Sequence, residues 1–186
     1  MAQSLETIDG TDFDLLRAVQ ARLCASVPKL APGICMICDE PVPPGTYFPR
    51  GDLACTIALS DGTFDTQKYD GAGANQLCER KSLIVTVFTR SKLDQPPRAE
   101  FALLDEQRGI LTRYKPAILR ALLIHDPRAE TLEPWQPLRG EHPILRGALV
   151  PTRSQGPRQL LDDDWLGLSL FFDVEFDWEL RTPVEE

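Results

Sequence analysis

At 186 residues and 20.8 kDa the chain suits one ordinary domain with a real core and is too short for two large ones. Its 42% hydrophobic and 26% charged residues exclude wholesale disorder, a collagen-like architecture and a disulfide-dense miniprotein. A net charge of −8 argues against a protein that neutralises nucleic-acid phosphates over its whole surface and leaves room only for a local basic patch.

The charge is unevenly placed. Residues 1–80 hold 6 basic and 11 acidic side chains, residues 81–160 hold 13 and 8, and residues 161–186 hold 1 and 9. A basic middle and an acidic end predict complementary faces, within one subunit or between copies, or else two solvated surfaces. No apolar run reaches the roughly 18 residues of a transmembrane helix, and MAQSLETIDGTD lacks the basic and apolar regions of a signal peptide. A cytoplasm-like site of synthesis is therefore expected, and an odd count of five cysteines fits reduced thiols.

In chain order, Thr11 to Leu23 opens with a capping-box-like Thr-Asp-Phe-Asp. It spaces Phe13, Leu16, Val19 and Leu23 about one turn apart, which predicts an amphipathic helix ending before Pro28. Six prolines between Val27 and Gly51 make that segment mostly extended loop, with Ile34 to Cys38 its one candidate strand. Leu53, Cys55, Ile57 and Leu59 alternate with smaller residues and predict a strand closed by a Ser60-Asp61-Gly62 turn. The glycine-rich stretch to Gly73 then predicts a long, shaped hairpin loop. Leu77 to Arg90 reads as a long strand, apolar on both faces over Leu83 to Phe88 and therefore central.

Pro96 and Pro97 stop that strand. Phe101, Leu104, Arg108 and Leu111 then set a helical period over Arg98 to Tyr114, with Pro116 opening a second short helix over Ala117 to Ile124. Prolines at 127, 134, 137, 143, 151 and 157 isolate a short strand at Ile144 to Val150 and leave the rest as connection. Finally Leu166, Leu168, Leu170, Phe172, Val174, Phe176, Trp178 and Leu180 are apolar at eight successive even positions. This predicts a strand on the order of 50 Å long, so part of it must leave a small sheet or bend at a bulge near Gly167.

The motifs that carry chemistry are few. Cys35-Met36-Ile37-Cys38 has the spacing of half a zinc knuckle, but Cys55 and Cys78 are isolated and His125 and His142 lack paired-ligand spacing. A buried or half-buried strand pair is the better reading. Asp70-Gly71-Ala72-Gly73 is followed by a strand and lacks the Lys-Ser/Thr of a phosphate loop, so it reads as a turn. The alternating Asp173, Glu175, Asp177 and Glu179 admit three readings. They are a site for a cation or an acid/base pair, a solvated face, or a ladder matched by Lys81, Arg90, Lys92 or Arg98 of the same or a neighbouring subunit. No catalytic residue, metal site or cofactor is assigned.

The order of these parts carries a resemblance: an N-terminal helix, a strand, the connection DGTFDTQKYDGAGANQL, the strand ending VTVFTR, the LLDEQRGIL helix and the terminal FFDVEFDWEL strand. In this order the chain resembles the tail-completion or tail-terminator proteins of tailed bacteriophages, over most of residues 10–124 and 160–180. The proline-rich stretch 127–157 lies outside the resemblance and reads as an insertion or connection in a single domain. The resemblance implies an α+β fold of one mixed, mainly antiparallel sheet with helices on one face. It further implies a non-enzymatic virion protein that forms a ring, by resemblance six-fold, at the head-proximal end of the tail. Its partners would be further copies of itself, the tail-tube protein and a head-completion or connector protein, with DNA passing through the lumen without specific binding. The resemblance implies no membrane partner. The alternatives are another neck or head-tail joining subunit, or a cytoplasmic metal-binding or enzymatic domain using Cys35 and Cys38.

Overall fold

A computed structural model describes residues 12–39, 53–64, 76–90, 97–123, 149–160 and 165–179. Among them lie two helices, α1 (Asp12–Ser26) and α2 (Pro97–Leu123). Six strands accompany them: β1 (Cys35–Ile37), β2 (Leu53–Leu59), β3 (Thr63–Phe64), β4 (Gln76–Arg90), β5 (Val150–Leu160) and β6 (Trp165–Glu179). The strands form one mixed sheet of order β1-β2-β4-β6-β5 with β3 also on β4; only the β1–β2 pair is parallel. This is the expected α+β class.

Both helices pack on one face. Leu15, Leu16, Val19 and Leu23 of α1 and Leu111, Tyr114, Ile118 and Leu122 of α2 meet Cys55 and Ile57 of β2, Leu83, Val85 and Val87 of β4, and the even positions Leu166 to Phe176 of β6. The alternation of β6 thus buries the face it was expected to bury, for about 1.5–3 kcal/mol per large apolar side chain. Arg22 Nε donates to the Ala121 carbonyl and ties the two helices together.

The opposite face is buried at its centre as well, through Ala54, Thr56, Ala58, Ile84, Thr86, Phe88, Trp165, Ser169 and Phe171. Polar atoms there are matched in part across the strands, as in the 2.9 Å hydroxyl pair of Thr86 and Ser169. Being covered on both sides is why β4 reads as a continuous apolar run.

Several expectations are corrected. Phe13 is 47% exposed, with Arg17 stacked 4.5 Å from its ring centre; Leu15 takes the buried position beside Leu16. The predicted Thr11 cap lies outside the described residues. β2 ends at Leu59 as expected, but Ser60-Asp61-Gly62 does not turn the chain away from β4: β3 resumes the pairing at Thr63↔Arg80, one residue out of the Leu59↔Leu83 register. The break is therefore a bulge, held where Ser82 N–H donates to Ser60 Oγ and Ser60 N–H to the Ser82 carbonyl, both at 2.9 Å. The rest of the predicted hairpin loop, from residue 65, lies outside the described residues.

The helix expected to break at Pro116 is one continuous α2. Pro116 sits on its solvent side, where the carbonyl left without an N–H partner can face water. The helix buries Gln107 in place of the predicted Arg108, which is exposed. Residues 151–157, expected to be connection, belong to β5. Two prolines are tolerated because, among the described residues, β5 pairs only with β6 and is an edge strand, and register shifts fall between Pro151 and Arg153 and between Gln155 and Arg158. The second shift faces Gly167, so the bulge expected in β6 is carried by its neighbour. The predicted strand from Ile144 lies, up to residue 148, outside the described residues.

Candidate functional site

β4 and β6 stay paired from Gln76↔Glu179 to Arg90↔Trp165, but their other neighbours do not follow. β2 reaches β4 only as far as Leu83, and β5 reaches β6 only as far as Asp173. Beyond those points the two strands run on as a ribbon whose one further described strand neighbour is β3, while Val174 and Phe176 on its helix face stay in the core. The acidic ladder lies on this ribbon. Asp173 and Glu175 point to the sheet face opposite the helices; Asp177 and Glu179 continue the same register at the ribbon's end.

Register decides which cations reach the ladder. Arg80 stands opposite Glu175 and donates to it at 2.8 Å, the two side chains being 54% and 32% exposed. Asp173 stands opposite Ser82 and is exposed. Of the four expected partners, Lys81 stands opposite Val174 and so lies on the helix face, where it pairs with Asp12 and, at 3.3 Å, with Glu79. Burial pushes the Lys81 ammonium down, but the Asp12 and Glu79 carboxylates together outweigh that and hold its pKa above the ordinary lysine value. Arg90 stands opposite Trp165, about 26 Å along the strand from Asp173. Arg98 lies in the first turn of α2, on the helix side of the sheet. Lys92 is outside the described residues. Arg80, which sequence reasoning missed, is the cation that meets the ladder among the described residues; only the β4–β6 register could have singled it out.

The Cys35 and Cys38 pair is buried and half-buried at β1 as expected, and the sheet adds a third cysteine to it. Cys35 of β1 is the direct cross-strand partner of Cys55 of β2, and both are fully buried on the helix face. Cys24 of α1 reaches Cys35 from above, and Gln20 donates to the Cys35 carbonyl at 2.6 Å. A hydrogen bond from Cys55 lowers the Cys35 pKa, burial opposes it, and a hydrogen bond from Cys24 adds to the lowering; the balance is downward. The same hydrogen bond and burial drive Cys55 well up. Cys38 has its pKa raised by burial and by Asp39 and Cys35. All five cysteines are free thiols. Among the described residues no three His, Cys, Asp or Glu side chains are arranged to hold a metal ion.

The arrangement therefore offers a charged ribbon suited to contact. Among the described residues no helix is long and apolar enough to cross a membrane. No protein-family model matches the chain, and no curated protein matches it significantly.

Proposed function

We propose that the protein is a structural virion subunit that forms a homomeric ring at the head-proximal end of a phage tail, ends growth of the tail tube and joins the tail to the head connector. The observation that carries this reading is the β4–β6 ribbon, which overruns its neighbours and bears Asp173 and Glu175 on the face away from the helices. Exposed Arg113 and Arg120 lie on α2, across the sheet from that acidic face. One subunit cannot bring the two together, whereas a neighbouring copy can. Such a contact joins different surfaces of successive subunits, and it closes into a ring when the rotation between them divides a full turn.

The ring reading rests on an element order that resembles that of tail-completion proteins, with six subunits as the expected number. The tube protein and a head-completion protein would bind its two rims, and DNA would cross the lumen without sequence-specific contact. Light scattering across a concentration series, together with electron microscopy of the purified protein, tests the proposal. Rings are expected; a strict monomer at every concentration and on isolated tails would overturn it.

A further inference from the structure

The thiols at the β1 edge of the sheet do nothing in the assembly just proposed, yet buried Cys35 and Cys55 meet there and half-buried Cys24 reaches them from α1. We propose that Cys35 and Cys55 are an oxidative modification site, closing to a cross-strand disulfide between β1 and β2 when the protein meets a peroxide.

The backbone allows it. Direct partners on neighbouring strands are about 4.8 Å apart, inside the range of about 4.4–6.8 Å that Cα atoms of a disulfide span. Both side chains leave the same face of the sheet, as their shared helix-side burial requires. Cys35 is the attacking sulfur, because hydrogen bonds from Cys55 and Cys24 favour its thiolate. Access is through the edge: β1 has three residues and, among the described residues, pairs only with β2, so few sheet hydrogen bonds hold it against local opening.

The chemistry balances in two steps. The Cys35 thiolate attacks one peroxide oxygen; an S–O bond forms, the O–O bond breaks and hydroxide leaves. The Cys55 sulfur then attacks the Cys35 sulfur; the S–S bond forms, the S–O bond breaks and water departs with the thiol proton. Two thiols lose two electrons in all, and hydrogen peroxide becomes two waters. A dithiol reductant reverses the link.

The test treats the folded protein with hydrogen peroxide, blocks remaining thiols under denaturing conditions, and maps the products by peptide mass spectrometry. Alkylatable thiols should fall from five to three, with a reducible peptide joining Cys35 to Cys55 and an unchanged circular dichroism spectrum. A Cys38→Ser, Cys78→Ser variant should still form the link, since neither residue takes part. Cys55→Ala should abolish it. Five thiols remaining after treatment, a link from Cys35 to Cys24 or Cys38 instead, or a link that appears only once the protein unfolds would overturn the proposal.

Discussion

Arg80 and Glu175 face one another across the β4–β6 pair and join at 2.8 Å, while Lys81, one residue on, turns to the opposite side of the sheet and joins Asp12 and Glu79. Strand parity alone separates the two cations into different tasks. The Arg80 pair is partly solvated and contributes at most about 1 kcal/mol. Its interest is in what it leaves over: with Glu175 answered, Asp173 supplies the unmatched charge of the described ladder.

Removing that charge distinguishes two uses of the face. Asp173→Asn with Glu175→Gln should fold normally, its stability changed by no more than about 1 kcal/mol in urea. If the ladder meets α2 of a neighbour, self-association weakens in the double variant and loses the salt dependence that the unaltered protein shows. If it lines a lumen, association is unchanged and DNA delivery by assembled particles is altered, because a negative wall repels phosphate. Sedimentation at two salt concentrations, set beside a DNA-ejection assay, reads the difference; no change in either shows an ordinary solvated face.

Lys81 belongs to the fold. Its side chain is only 11% exposed and answers Glu79, whose side chain is 8% exposed, as well as Asp12 at the start of α1. Lys81→Met removes this ammonium from both carboxylates and should cost about 3 kcal/mol. The pH dependence has a definite sign. Because the folded pKa is raised, the contribution is fully present below the unfolded lysine value of about 10.4 and is lost as pH rises through the higher folded value. Urea melts at stepped alkaline pH should therefore show a fall in stability that Lys81→Met lacks.

How far the sequence could be read depends on the range of each signal. The alternation of β6 and the β-branched run of β4 are local, repeat many times and specify their buried faces unaided. Partnership across strands is non-local: nothing near Glu175 marks Arg80, and nothing near Cys35 marks Cys55 or Cys24. Proline misled in two ways. At Pro116 it predicts a helix break, although a solvent-facing proline leaves α2 continuous, and at Pro151 and Pro157 it predicts connection, although an edge strand accommodates both.

The buried face of β6 gives a sharp test. Phe172 and Phe176 are almost wholly enclosed between the sheet and the helices. Phe176→Asp removes an aromatic side chain worth about 3–5 kcal/mol and adds the cost of a buried carboxylate, a sum comparable to the roughly 5–15 kcal/mol stability of a whole domain. The variant should be recovered insoluble or without a cooperative thermal transition, and Phe172→Asp likewise. A soluble, cooperatively melting Phe176→Asp protein would mean the faces are inverted.

Two glycines should respond to alanine in opposite directions. Gly156 lies at the β5 register shift with φ of +99°, where a Cβ would run into the Gly167 carbonyl of β6. Backbone cannot step aside as a flexible side chain can, and the conformation itself disfavours alanine, so Gly156→Ala should lose about 1–3 kcal/mol and loosen β5 from β6. Gly109 lies within α2, exposed, with nothing within 4 Å of where a Cβ would sit. There alanine only restricts the unfolded chain and improves helix propensity, so Gly109→Ala should gain about 0.5–1 kcal/mol. Urea denaturation of both variants checks the signs, and amide hydrogen exchange should show faster exchange along β5 in Gly156→Ala while α2 keeps its protection.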